Sequence, residues 1–425
     1  MFRPRQGKEV GEFKLRDNIV ASSTLAAPSI TPDLAVHNCL PVTRRYSQLA
    51  YWSLRENSLL IGLTIAYCGI TLFIRHAYGL QISPFADLLI ESIGFIAILA
   101  VSLFCSFTIW FFYLKRVKRH PEFNQIIVWQ VRHNHLTASR LFLALPVLLM
   151  WPFFLNAFSY LKALIPTFRP FYLDARLADW DRHLHLGSLP SEWLDSIFGH
   201  VISVFILNWM YTVWFLVIMT ALLLQSANAE NRQLRAQYLL AQALLWPILG
   251  NLIATLLSSA GPCYYGLLID GPNPYAVHMV RLYELADSLK FSVFGHDLQI
   301  PITALQMQQY LWNGYQHSQL ELGQGISAFP SLHVASTWLI ARLCLAYGRR
   351  MAFFGFTFLA LIFVGSIELG WHYAIDGYLG AFGAWLCWRA AGSILSLRAI
   401  KRLLWGVSIG EVLESSSRRE GVAAN

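Results

Sequence analysis

The length of its apolar runs constrains this chain more than any other feature. Eight blocks stand out: Leu59–Ile74, Ala86–Leu114, Leu141–Leu161, Val201–Gln225, Tyr238–Ser259, Leu332–Tyr347, Met351–Leu369 and Ala374–Leu397. Each is close to the roughly 20 residues that an α-helix needs to cross a bilayer. Lipid offers no hydrogen bonds, so a spanning backbone must satisfy its own polar groups, and helices do this within one segment. The expected fold is therefore all-α, a polytopic transmembrane helical bundle of about 6–8 spans. The sixth and seventh blocks are short and joined by Gly348-Arg349-Arg350, which leaves a six-span core with peripheral helices as the neighbouring arrangement. Of 425 residues, 56% are hydrophobic and 13% charged, against roughly a quarter charged in a soluble domain. The 28 Phe and 15 Trp exceed what one water-soluble core of this size can hide. Disordered, collagen-like, coiled-coil and small disulfide-rich classes are excluded.

A formal net charge of +8 invites a nucleic-acid reading, but the placement of the charge argues for a membrane orientation and no nucleic-acid partner. Lys115, Arg116, Lys118, Arg119 and Arg132 follow the second block; Arg232 and Arg235 follow the fourth, and Arg349 and Arg350 the sixth. Arg44, Arg45 and Arg55 precede the first block, and Arg398, Lys401 and Arg402 follow the last. Cytosolic loops are the ones enriched in Lys and Arg, so both termini are expected in the cytosol. The organisation is a polar N-terminal tail over 1–56, a membrane domain over 57–400 and a C-terminal tail over 401–425. No apolar stretch follows the basic N-terminus, so no cleavable signal peptide is read. Cys39, Cys68, Cys105, Cys263, Cys344 and Cys387 include no CxxC pair and read as small hydrophobes. On the opposite face, DARLADWDRHLHLGSLPSEWL at 174–194 and VHMVRLYELADSLKFSVF at 277–294 have apolar residues at helical spacing. They read as interfacial helices, either capping the bundle or gating a substrate.

Three constellations fall on that same non-cytosolic face. Lys162 and Arg169 stand seven residues apart in KALIPTFRP and would share a face if helical, although Pro166 argues against a continuous helix. Cations at a membrane boundary also snorkel to headgroups. In SAFPSLH at 327–333, Ser331 is placed to cap the following helix, whose first amides would face an anion; His333 is either incidental or functional. In GWHYAIDGYLG at 370–380, His372 and Asp376 are four residues apart, so a carboxylate can hold imidazole Nδ1 and leave Nε2 free. An ordinary His–Asp pair at a helix end has the same spacing. Together they supply two cations, helix-end amides and two imidazoles, the parts needed to transfer a phosphoryl group through a histidine without a metal.

In this order, KALIPTFRP, SAFPSLH and GWHYAIDGYLG resemble the three signatures of the type-2 phosphatidic-acid phosphatase superfamily, over roughly 140–400. The resemblance implies that His372 is the nucleophile, oriented by Asp376, and that His333 serves as general acid and then base. It implies that Lys162, Arg169, Ser331 and the amide at Leu332 hold the phosphoryl oxygens, with membrane lipids as substrates and no cofactor or metal. Leu332 replaces the family's frequent Gly, and Ser366 stands where the family usually has Arg, six residues before His372. Both departures, with SAGPCYYG at 259–266, look more like the inositol phosphorylceramide synthase branch, which transfers a phosphoinositol headgroup to a ceramide. The expected site then faces the periplasm or an organelle lumen. Glu368, one turn before His372, would bind headgroup hydroxyls or simply reach the interface. His183 and His185, and separately His120, His133 and His135, lack a backing Cys or carboxylate pattern and read as solvated loop residues. The rivals are a lipid-phosphate phosphatase acting on phosphatidate or an isoprenoid diphosphate, and a non-catalytic transporter or scaffold.

Overall fold

A computed structural model describes residues 42–79, 84–112, 115, 137–293, 296–317 and 325–406. The chain divides into two compact units, Met1–Tyr51 and Trp52–Asn425. In the first, the described residues begin helix α1 (Val42–Glu56), so part of the expected polar tail is helical. The basic loop from Arg116 to Arg132, with His120, His133 and His135, lies outside the described residues.

Helices occupy all eight apolar blocks: α2 (Ser58–Ala77), α3 (Pro84–Phe112), α4 (Ala138–Ala163), then α5 (Asp174–Leu184) and α6 (Pro190–Phe198) in a connection, and α7 (Val201–Ser226) and α8 (Arg232–Pro247). The second half adds α9 (Ala276–Ser288), β1 (Lys290–Val293), β2 (His296–Gln299), α10 (Thr303–Gln316), α11 (Leu332–Leu345), α12 (Arg349–Glu368), α13 (Ala374–Ser396) and α14 (Arg398–Trp405). Among the described residues, six helices are long and apolar enough to cross a membrane: α2, Leu88–Ile109 within α3, α4, α7, the run Arg232–Leu256 and α12. Helix α11 has 14 residues and is too short. Helix α13 has the length, 23 residues, but Asp376, Arg389 and four glycines dilute its apolarity. The polytopic helical bundle is thus as expected, with the six-span count at the lower end.

The core gathers around α8. Trp151 stacks on Phe154 at 4.9 Å, Phe158 meets Trp246 edge-on at 4.8 Å, and Tyr238, Leu339 and Ala391 are buried among them. After Pro247 the helix widens into a π-helical segment, Ile248–Ile253. There Gly250 lies so close to Leu332 and Phe158 that a Cβ would overlap both.

Two expectations need correction. The 174–194 stretch is two helices, α5 and α6, because Leu186 and Gly187 adopt positive φ (58° and 90°) and Pro190 starts a new helix. The 277–294 stretch leaves the helix at Ser288, and Lys290–Val293 pairs antiparallel with His296–Gln299. Phe291 and Val293 alternate with Ser292, a period that suits a strand.

Arg235 was counted as a loop charge, but it is buried. Its guanidinium donates to Asn57 Oδ1 (2.7 Å), Ser226 O (3.1 Å) and Leu143 O (3.2 Å), joining three helices. Removing it orphans these acceptors. Arg235→Ala is expected to cost about 3 kcal/mol or more, read as a drop in thermal unfolding midpoint in detergent, with Arg235→Lys recovering only part.

Candidate active site

Three helix ends bring the motifs together: the last turn of α4, the start of α11 and the start of α13. The rings of His333 and His372 have centroids 5.7 Å apart at 63°. His333 is held between Tyr211, stacked at 4.4 Å, and Trp214 at 4.1 Å. Trp214 Nε1 also donates to His333 O (3.2 Å) and Ser336 Oγ (3.1 Å), so the first turn of α11 is fixed from α7.

His372 precedes α13 rather than sitting on it, since that helix begins at Ala374. Asp376, in the first turn, reaches back: its Oδ2 accepts from His372 Nδ1 (3.2 Å) and from the Tyr373 backbone N–H (3.0 Å). Burial pushes the His372 imidazole down to about 3, so it is neutral at pH 7. With Nδ1–H on the carboxylate, the lone pair remains on Nε2.

Both imidazoles line one cavity of about 560 Å³, together with Lys162, Gly325, Ser327 and Leu332. This volume is in the usual range for a ligand pocket. Among the described lining residues, Lys162 is the one lysine or arginine, and no aspartate or glutamate joins it. Ser331 caps α11 from behind the wall, accepting from Val334 N, while its own N–H donates to Asp376 O (3.0 Å). That bond ties the second motif to the third. Gly380 makes it possible, because a Cβ there would overlap the Ser331 carbonyl.

Arg169 and Glu368 lie elsewhere. Helix α4 ends at Ala163, and after a short turn over Ile165–Phe168 the backbone at Arg169 is extended. Its guanidinium is exposed and stacks on Tyr172 at 4.5 Å, away from the residues lining the cavity. Glu368 is buried beside Asp195, whose carboxylate also meets His278 (3.1 Å) and Arg281 (3.0 Å). Ser366, at the position of the absent Arg, donates to Phe363 O (2.7 Å), and its carbonyl accepts from Trp371 and His372 N–H.

Two aspartates not singled out in the sequence hold the site from outside. Asp174 accepts from Ser259 Oγ (2.8 Å), Ala260 N (3.0 Å), Gly261 N (2.8 Å) and Tyr373 OH (3.0 Å). Asp181 accepts from Ala374 N (2.7 Å) and Ile375 N (3.0 Å), capping α13 from another helix. Burial raises the Asp181 carboxyl above its ordinary range, and these two amides oppose that. The SAGPCYYG loop is stitched to both motif loops, through Ala328 N to Ser259 O and Cys263 N to Gly370 O, each 2.9 Å. Gly261 takes φ +106° there, with the Trp371 carbonyl 2.5 Å from where a Cβ would be. Asp181→Ala is expected to free the start of α13 and lower kcat by up to about 10²-fold, with Asp181→Asn recovering most of it. Steady-state kinetics on a soluble ester would check this.

A protein-family model described as the PAP2 superfamily matches residues 175–390, about half of the chain. That segment runs from α5 into α13 and holds the second and third motifs, with Lys162 and Arg169 just before it. No curated protein and no solved structure matches the chain. The chain belongs to the PAP2 superfamily, and is an enzyme of the phosphatase or phosphotransferase kind.

Proposed function

We propose that the enzyme moves a phospholipid headgroup, of the phosphoinositol type, onto a lipid alcohol such as a ceramide, on the non-cytosolic face. The observation that carries this reading is the charge of the cavity, where Lys162 stands as the one lysine or arginine among the described lining residues. A phosphomonoester brings about two negative charges to pH 7, whereas a phosphodiester brings one. A single ammonium matches the diester.

The chemistry follows from the two rings. His372 Nε2 attacks phosphorus as the bond to the donor's lipid oxygen breaks, and His333, protonated once the anionic diester is bound beside it, gives its proton to that oxygen. The headgroup is then held as a phosphohistidine. His333, now neutral, takes the proton of the acceptor hydroxyl, whose oxygen attacks phosphorus and releases His372. Asp376 keeps Nδ1 occupied and stabilises the charged ring, as the carboxylate of a catalytic triad does. Lys162 and the amides at the start of α11 stabilise the oxygens on phosphorus. Arg169, stacked outside, would join only by leaving Tyr172.

The test is to incubate purified protein in detergent with headgroup-labelled phosphatidylinositol or labelled phosphatidate, with and without ceramide, in EDTA. Label carried to ceramide supports the proposal. Inorganic phosphate released from phosphatidate, with no transfer, would replace it with a phosphatase, and no turnover of any ester would remove it.

A further inference from the structure

The cavity extends well past the imidazoles, and its far part is apolar. Gly94, Phe95 and Ile98 of α3, Leu155 of α4, Phe215 of α7 and Trp246 of α8 line it. Along α4, from Lys162 to Leu155, this is a depth of roughly 10 Å at the helical rise per residue. Phosphate chemistry needs none of these side chains. Empty apolar space of this size inside a packed bundle forfeits dispersion contacts on every wall, and carbon-lined cavities do not hold water well.

Helix α3 is the informative wall. It lines the cavity from outside the residues matched to the family. Gly94 lies within that helix, where Gly costs about 1 kcal/mol relative to Ala. A Cβ at Gly94 would meet no atom within 4 Å. The same holds at Gly62 and Gly69 of α2, so what ties Gly94 to the site is its place in the cavity wall.

We infer that α3 completes a subsite for a hydrocarbon chain of the lipid substrate, with Gly94 setting the space available to it. The inference rests on the proposed lipid chemistry for its orientation: phosphorus sits between the imidazoles, and the chain runs down between α3, α4 and α7. The occupant is a hydrocarbon chain because Phe95, Ile98, Leu155, Phe215 and Trp246 are aromatic or aliphatic and the cavity is continuous with the two histidines. A Cβ at Gly94 meets no protein atom, and a bulkier side chain there takes space that a long chain would use.

The experiment reads binding apart from turnover. A phosphatidylinositol with a photoreactive diazirine midway along an oleoyl-length chain is irradiated with the full-length protein in detergent, and labelled peptides are mapped by mass spectrometry. Labelling of the 94–98 and 155–158 segments is expected to saturate, and to be competed by excess dioleoyl phosphatidylinositol but poorly by the dihexanoyl form. Lipid touching only the outside of the bundle labels without saturating. Gly94→Phe should remove the saturable part, Gly94→Ala should weaken it, and Gly62→Phe, on α2 away from the cavity, should leave it intact. In turnover, Gly94→Phe should lower the ratio of long-chain to short-chain rates by about tenfold or more. No saturable label in the wild type, or equal saturable label in Gly94→Phe and wild type, would overturn the subsite. Saturable labelling without turnover of any phosphoester would overturn the proposed chemistry and leave the subsite standing.

Discussion

His372→Ala is expected to trap no phosphoryl label with any substrate and to lose about 10⁴-fold or more in kcat, the scale on which removing a nucleophile acts. The geometry makes the loss hard to compensate. Nδ1 is already engaged by Asp376 at 3.2 Å, which leaves Nε2 as the nitrogen to attack, and burial keeps the ring neutral. The neighbouring His333 cannot readily take over, because Tyr211 and Trp214 hold its ring in place. Asp376→Asn is expected to leave some label, since it removes stabilisation of the charged ring but keeps the nucleophile. Rapid quench followed by an acid-lability assay of the labelled protein checks both variants. Full labelling in His372→Ala would move the nucleophile elsewhere.

The bundle was legible in the sequence because hydropathy in a membrane reports directly on backbone satisfaction, and a helix stands at every apolar block. The span count was less legible. Helix α11 starts at Leu332, where Ser331 caps it, and α13 carries polar groups and glycines that its packing requires, as at Gly380. Apolarity alone cannot separate a spanning helix from one shortened or diluted to build a site. The motifs located His333, His372 and Lys162, which meet in one cavity. Arg169 illustrates the limit, since a seven-residue spacing puts two cations on one face only while the helix lasts, and here it ends at Ala163.

Asp174, Asp181 and Arg235 were illegible for a different reason. Charged residues in an amphipathic stretch or near a helix start normally face water, so burial is not their default reading. Each is buried because a distant backbone needs it: the SAGP loop, the first amides of α13, and carbonyls at Leu143 and Ser226. A signal was present in the heptad spacing of Asp174 and Asp181 on either side of Leu177 and Ala178, which puts the carboxylates on the apolar face. A buried carboxylate on such a face calls for donors, and the donors here are the motif loops.

The effect of His333→Ala is expected to depend on the leaving group, which makes it the sharper test of mechanism. A lipid alkoxide is a poor leaving group and must receive a proton as the phosphorus–oxygen bond breaks. Losing the acid should then cost about 10²–10⁴-fold, the usual range for general acid–base catalysis. A p-nitrophenyl phosphodiester departs as a stable anion, so formation of the phosphohistidine should be largely spared. The second step still needs a base to take the proton of the acceptor hydroxyl or water. Label on His372 should therefore accumulate in His333→Ala with the p-nitrophenyl ester, and a stopped-flow burst of nitrophenolate should be followed by a slow steady state. In the proposed mechanism, the 5.7 Å separation of the rings lets one imidazole serve both the departing and the arriving oxygen beside the other. Because the His333 ring is packed against Tyr211 and Trp214, a control is needed for simple collapse of that wall. His333→Gln keeps bulk and hydrogen bonding without a titratable nitrogen, and should reproduce the same leaving-group dependence. Equal losses on both esters, with no burst in either variant, would mean that His333 positions the site rather than carrying a proton.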